Sequence, residues 1–157
     1  MSRQKRLEGF SYLGPHRYFL TFCTRDRARV FTDAPVVSAT IEQIRRTCKE
    51  EGFQLLTYCA MPDHTHLLIE GLRENSDMRR FAKMAKQGSG AAYALKYDRA
   101  LWQEGYHDRV LRAEEDSRRV ARYILENPVR AGLVRHAAEY PFSGSDIWTM
   151  AELIGSL

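Results

Sequence analysis

Cysteine is scarce in this 157-residue sequence: Cys23, Cys48 and Cys59 are odd in number and widely spaced, and none forms a Cys-x-x-Cys pair. That argues against a disulfide framework or a zinc ribbon and points to buried free thiols in a reducing compartment. No apolar run approaches the ~18–20 residues a membrane helix needs. The N-terminus is short and polar, carries Arg3, Lys5 and Arg6, and has no apolar signal-peptide core. A soluble, cytoplasmic protein with no membrane partner is expected. Repeats and low-complexity tracts are missing. Lysine is also sparse, 5 residues against 19 arginines, within a net charge of +4. Arginine offers a planar fork of donors that suits phosphate and stacks on bases, so the balance points to a nucleic-acid partner. A genome rich in Arg codons gives the same ratio. The arginines cluster between Arg109 and Arg135.

Hydrophobic residues make up 44%, enough to build one core, and the length suits one domain over residues 1–157. Residues 1–14 read as a basic arm. His16 to Thr24 is aromatic and β-branched and reads as a strand. Pro35 opens a helix whose apolar face is Val37, Ile41, Ile44 and Cys48, and Gly52 stops it. Phe53–Ala60 and His64–Glu70 read as hairpin strands around a Met61-Pro62-Asp63 turn. A second helix starts near Ser76, with Met78, Phe81, Ala82 and Ala85 on its apolar face, and Gly88-Ser89-Gly90 interrupts it. Leu101 to Arg112 reads as a fourth strand, with Gly105 as a bulge. Glu114, Glu115 and Asp116 then place negative charge on the first turn of a third helix that ends at Asn127, before Pro128. Gly132 reads as the cap of a short turn. Residues 135–157 form a weakly patterned tail. This order packs as an α+β fold, an antiparallel sheet with two helices on one face. The third helix is additional and should lie near the third strand.

His64-Thr65-His66 is the sharpest local feature. Alternation along a strand puts both imidazoles on one face, a spacing able to chelate one metal ion. The alternative is that the rings only hydrogen-bond; two buried histidines without partners would be costly. A third ligand is needed, from Asp63, Glu70, Asp108, Glu126 or Asn127. Asp63, as an odd neighbour of His64, should point to the opposite face. Glu70 shares the face but lies ~13 Å along the strand from His66. On the third helix, Val120, Ala121 and Ile124 make an apolar stripe, while Asp116, Arg119, Tyr123 and Asn127 make an adjacent polar one, so Tyr123 and Asn127 project together.

Three blocks of residues resemble a known family. Met61-Pro62-Asp63-His64-Thr65-His66-Leu67-Leu68, Trp102-Gln103-Glu104-Gly105-Tyr106-His107-Asp108-Arg109 and Tyr123-Ile124-Leu125-Glu126-Asn127-Pro128-Val129-Arg130-Ala131-Gly132-Leu133 resemble the REP-associated tyrosine transposases, a branch of the single-tyrosine HUH transposases of insertion sequences. The resemblance covers roughly residues 10 to 145. It implies a ferredoxin-like βαββαβ fold with the extra helix carrying a nucleophilic tyrosine, Tyr123. It implies His64 and His66 as metal ligands, with Asn127 completing the site, and Mg²⁺ or Mn²⁺ as cofactor. It implies single-stranded DNA with short hairpins, resembling repeated extragenic palindromes, as partner, and action as a monomer or a homodimer. Thr65 departs from the pattern, because the family often has a bulkier apolar residue there. The Gly88-Ser89-Gly90 break departs too, in a region usually more continuously helical.

The implied reaction is cleavage and rejoining of DNA through a 5′-phosphotyrosine. A phenol is a good leaving group for the rejoining step, but with an ordinary pKa of ~10 it is little ionised at neutral pH. The metal and Arg119 would favour the ionised form. No dedicated general base is evident, and His107 is the candidate proton carrier. Arg109, Arg112, Arg119, Arg122 and Arg130 are candidates for holding DNA, with Arg3, Lys5 and Arg6 of the arm gripping a hairpin. Tyr12, Tyr18, Tyr93, Tyr97 and Trp102 could stack on bases or sit in the core. Two other functions fit the same residues: a catalytically inert nucleic-acid-binding domain of this fold, and a metal hydrolase using activated water.

Overall fold

The computed structural model describes residues 7–155. Five strands, β1 (Arg17–Cys23), β2 (Phe53–Met61), β3 (His64–Gly71), β4 (His107–Val110) and β5 (Ser143–Gly144), form one antiparallel sheet in the order β4-β1-β3-β2-β5. The helices are α1 (Ala34–Glu51), α2 (Met78–Tyr97), α3 (Ser117–Leu125), α4 (Asn127–Arg130) and α5 (Met150–Ile154). The first four strands with α1 and α2 make the ferredoxin-like βαββαβ arrangement expected from the sequence. Arg3, Lys5 and Arg6 lie outside the described residues. Among the described residues, no helix is long and apolar enough to cross a membrane.

Alternation in the strands sorts side chains onto two faces. On one, Tyr18, Leu20 and Phe22 of β1 and Leu67 and Ile69 of β3 pack with Val37, Ile41, Ile44 and Cys48 of α1 and Met78, Phe81, Ala82 and Ala85 of α2. On the other, a smaller core joins Leu56 and Cys59 of β2 and Leu68 of β3 to Val120, Ala121, Ile124 and Leu125 of α3. The third helix therefore lies over β2 and β3. Arg17 ties its start to β1: the guanidinium donates to the carbonyls of Arg112 and Glu115, each at 2.6 Å, and to the Ser117 hydroxyl at 2.7 Å.

Several expectations are corrected. Helix α2 runs unbroken through Gly88-Ser89-Gly90. A glycine inside a helix costs ~1 kcal/mol relative to alanine, and here packing outweighs propensity. Ser89 is buried, donates to the Ala85 carbonyl at 2.6 Å and accepts from the Trp102 indole at 2.9 Å. The fourth strand is only His107–Val110. Before it, Trp102 turns into the core, its ring edge-on to Phe22 with centroids 5.6 Å apart, and Gly105 takes a left-handed φ of 81° in a turn rather than a bulge. Glu114 to Asp116 precede α3 instead of forming its first turn. Asp116 is the cap, accepting from the Arg118 amide at 2.9 Å. The helix ends at Leu125, and Pro128 sits near the start of the short α4, where its missing N–H costs nothing.

Beyond Arg135, where the sequence pattern is weak, β5 adds to the β2 edge, the Tyr140 hydroxyl donates to the Ala60 carbonyl at 2.6 Å, and α5 packs on α3 through Leu153. Tyr12, Tyr18, Tyr93 and Trp102 are buried core residues, and half-buried Tyr97 packs its ring 4.7 Å from Tyr93, so these aromatics are not an open stacking surface.

Candidate active site

The site face is the one α3 covers. Strand β3 is central, and its register places His66 opposite Thr21 of β1 and Cys59 of β2, and His64 opposite Cys23 and Met61. The two imidazoles stand side by side, centroids 4.7 Å apart and planes at 76°. The Nδ1 of each ring is already engaged. His64 Nδ1 lies 2.7 Å from the Asp63 carboxylate and His66 Nδ1 lies 3.0 Å from the Thr21 hydroxyl. Each ring therefore keeps Nε2 for another partner. Burial, then the neighbouring His64 and Arg130, push the His66 imidazole down to about 3, so it is neutral at physiological pH.

Asp63 corrects the expectation made from strand alternation. It belongs to the turn between β2 and β3, where period-two alternation does not hold, and its side chain reaches the imidazole beside it. Burial alone would raise its carboxyl; hydrogen bonds from His64 and Arg27 outweigh that and hold it below the ordinary carboxylate range.

Tyr123 sits at the edge of α3, 57% exposed, while Val120, Ala121 and Ile124 beside it are buried. Phe19 of β1 connects it to the histidines. Its ring meets His66 edge-on with centroids 5.3 Å apart and lies 6.5 Å from the Tyr123 ring. The Arg130 guanidinium lies over the Tyr123 ring, 4.0 Å from its centroid, and donates to the Tyr123 carbonyl at 2.7 Å. Asn127 begins α4, half-buried, one turn after Tyr123. His107 pairs with Thr21 and so shares the face and the row of His66, with one strand between them.

The other candidate ligands are dispersed. Glu70 pairs with Arg17 at the far end of β3, Asp108 pairs with Leu20 and faces α1 and α2, and Glu126 caps the junction of α3 and α4. Among the described residues, no group of three or more His, Cys, Asp and Glu side chains is placed to hold a metal ion. A site here would rest on the two imidazoles and an amide oxygen. Such a donor set fits a divalent cation: both rings stand on one face and both are oriented from behind by oxygen partners.

The arginines named from sequence have separate surroundings. Arg109 pairs with Glu115 at 2.9 Å, Arg122 donates to the Leu153 carbonyl at 2.7 Å, and Arg112 and Arg119 are exposed. Phe19, Thr21 and Arg27 were not singled out from sequence. Alternation along β1 puts Phe19 and Thr21 on a common face, but which face depends on the pairing of β1 with β3.

The model of the family described as Transposase IS200 like matches residues 14–127. A Haemophilus influenzae protein named among the REP-associated tyrosine transposases is 26% identical over 140 residues, covering 80% of this chain and 77% of that one. The REP-associated tyrosine transposase of Escherichia coli K12 is 27% identical over 136 residues, covering 84% and 78%. Among solved structures, a REP-associated tyrosine transposase bound to a REP hairpin superposes with a TM-score of 0.74 at 24% identity, over 91% of this chain and 82% of that one. A transposase-like protein of Deinococcus radiodurans R1 gives 0.53 at 24% identity, over 79% and 97%. The match runs from just before β1 to the start of α4 and so takes in the histidine strand and the tyrosine helix: the chain belongs to the IS200-like transposases and is an enzyme of the HUH tyrosine type.

Proposed function

We propose that this transposase cuts and rejoins hairpin-bearing single-stranded DNA through a 5′-phosphotyrosine on Tyr123. The observation that carries the reading is the Phe19 ring, which touches the His66 imidazole on one side and faces the Tyr123 phenol on the other. It links residues nearly sixty positions apart in the sequence.

Membership in the family suggests a divalent cation. His64, His66 and Asn127 would hold it, as Mg²⁺ or Mn²⁺. When bound, the cation would draw charge from a non-bridging oxygen of the scissile phosphate. The neutral donor set would make it a weak site until DNA phosphate adds its charge.

The Tyr123 hydroxyl gives up its proton as its oxygen bonds to phosphorus. The bond from phosphorus to the 3′-oxygen breaks, and that oxygen takes a proton to leave as a 3′-hydroxyl. The phosphotyrosine link keeps the bond energy, so a second 3′-hydroxyl can attack it, release the phenol and join a new strand. Arg130, lying on the phenol ring, stabilises negative charge developing on its oxygen. His107, which shares the sheet face of His66, would carry the proton. Exposed Arg112 and Arg119 contribute to holding the DNA backbone, together with Arg109, Arg122 and Arg130 and with Arg3, Lys5 and Arg6 of the N-terminal arm.

The hairpin substrate is drawn from the solved relative that binds a REP hairpin. The test is incubation of the protein with a hairpin-bearing single strand and Mn²⁺, followed by denaturing electrophoresis. A covalent adduct is expected in the wild type and absent from Tyr123→Phe. Cleavage that survives Tyr123→Phe but fails in His64→Ala identifies a hydrolase that uses water instead. No adduct with any divalent metal identifies a binding domain.

A further inference from the structure

The turn between β2 and β3 is gripped from outside by the loop that follows β1. The Thr24 amide donates to the Asp63 carbonyl and the Phe31 amide to the Pro62 carbonyl, each at 3.0 Å. Within that loop Asp26 and Arg27 take φ of 56° and 55° in succession, a region side chains other than glycine seldom enter. Two such residues side by side persist only where the surroundings over-determine them. The result here is a specific aim for one guanidinium. Arg27 Nε donates to Asp63 Oδ2 at 3.0 Å, and Arg27 Nη1 reaches Cys23 Sγ at 3.4 Å. The other carboxylate oxygen, Oδ1, meets His64 Nδ1 at 2.7 Å.

We propose that Arg27 and Asp63 form a positioning relay that holds the His64 proton on Nδ1 and so keeps the Nε2 lone pair aimed at the cation; the proposal rests on the metal reading above. The Asp63 carboxylate accepts only, so the ring nitrogen facing it must be the one that carries hydrogen. Arg27 occupies the second oxygen and stops the carboxylate from rotating away. The two histidines are then unequal. His66 is backed by a neutral hydroxyl, which can donate or accept, whereas His64 is backed by a charged acceptor that fixes its tautomer and raises its strength as a ligand. The Asp63 and His64 side chains are partly screened from water, 27% and 19% exposed. Neither Arg27 nor Asp63 touches substrate; both act through His64.

Two readouts test the relay. Long-range proton–nitrogen spectra of the metal-free, ¹⁵N-labelled protein report the His64 tautomer directly. The wild type should carry hydrogen on Nδ1, Asp63→Asn should retain that tautomer because its amide oxygen still accepts, and Asp63→Leu should lose it. Electron paramagnetic resonance of free Mn²⁺ gives the affinity for the metal alone. Asp63→Leu should weaken it by about 10–100-fold, and Arg27→Gln should weaken it several-fold with the fold intact. If Asp63→Leu does not fold, Arg27→Gln and Asp63→Asn carry the comparison, and wild-type Mn²⁺ affinity in both overturns the relay. So does a wild-type tautomer in Asp63→Leu. Wild-type protein whose Mn²⁺ uptake is unaffected by His64→Ala overturns the metal reading itself, a different result from uptake that needs His64 and ignores Asp63.

Discussion

Replacing Arg130 by alanine separates a catalytic role for its guanidinium from a bracing one. The group lies 4.0 Å from the Tyr123 ring centroid and bonds the Tyr123 carbonyl at 2.7 Å. For folding, an exposed cation–π contact is worth ~0.5–1 kcal/mol, and a hydrogen bond at an exposed helix end adds little more. Stability should fall by about 1 kcal/mol, which for a chain of this size lowers Tm by roughly 2–4 °C. For the reaction, ring geometry puts the phenol oxygen roughly 5 Å from the guanidinium charge. Coulomb's law then gives about 0.8 kcal/mol at a dielectric constant of 80 and about 3.3 at 20 for a full negative charge, and about half of that for charge half-developed in the transition state. The rate of adduct formation should therefore drop by roughly 2- to 17-fold. Single-turnover adduct formation at saturating hairpin DNA, beside a thermal melt, measures both. Arg130→Lys keeps charge without the planar fork and should lie between alanine and wild type. A variant that loses its few degrees of Tm but forms adduct at the wild-type rate would refute the electrostatic argument.

Thr65 and Cys48 yield two further tests. The Thr65 side chain is fully buried between the two histidines, facing α1 and α2, and its hydroxyl has no hydrogen-bond partner among the described residues. An unsatisfied buried hydroxyl costs ~1–3 kcal/mol, so Thr65→Val, which keeps the shape, should raise stability by about 1 kcal/mol in urea unfolding without altering adduct formation; a lower midpoint would refute this. Burial pushes the Cys48 thiol up to about 12. Since the thiolate is the reactive form and a free thiol ionises near ~8.5, Cys48 in the native protein should alkylate a few thousandfold more slowly than a free thiol. Peptide mapping after timed iodoacetamide treatment reads this, and labelling at the free-thiol rate would contradict it.

Much of the scaffold was legible because its signals are local. Val37, Ile41, Ile44 and Cys48 recur at helical spacing, Gly52 takes the left-handed φ of 75° that ends α1, and β1 alternates cleanly between faces. His64 and His66 share a face for the same reason. What was not legible is set by contacts distant in sequence. Gly88-Ser89-Gly90 breaks a helix by propensity, yet the Trp102 indole and the packing of α1 keep α2 continuous. Asp63 was assigned to the wrong face because alternation was carried past the strand end into a turn. The tail beyond Arg135 has no periodicity because each part answers to a different neighbour: Tyr140 to the Ala60 carbonyl, β5 to β2, and Leu153 to α3. Phe19 joins the site only through the pairing of β1 with β3, and Arg130, named from sequence as a DNA-holding candidate, comes to lie on the Tyr123 ring only through the placement of α4.

The two faces of the sheet divide the labour, and β3 serves both. Its odd-numbered residues, Thr65, Leu67 and Ile69, are fully buried against the long helices and fix the strand in place. Its even-numbered His64 and His66 then inherit that rigidity without contributing to the larger core. The opposite face is thinner, covered by the nine-residue α3 and supported from outside by α5 and the Arg122 bond to Leu153. Rigid histidines and a phenol on a lightly covered helix edge suit the proposed reaction. In that reaction the histidines would be set before DNA arrives, whereas Tyr123 would need to be open enough to hold a nucleotide covalently and then release it to a second strand. A deeper core under α3 would add stability, but it would bury the residue whose exposure the rejoining step requires.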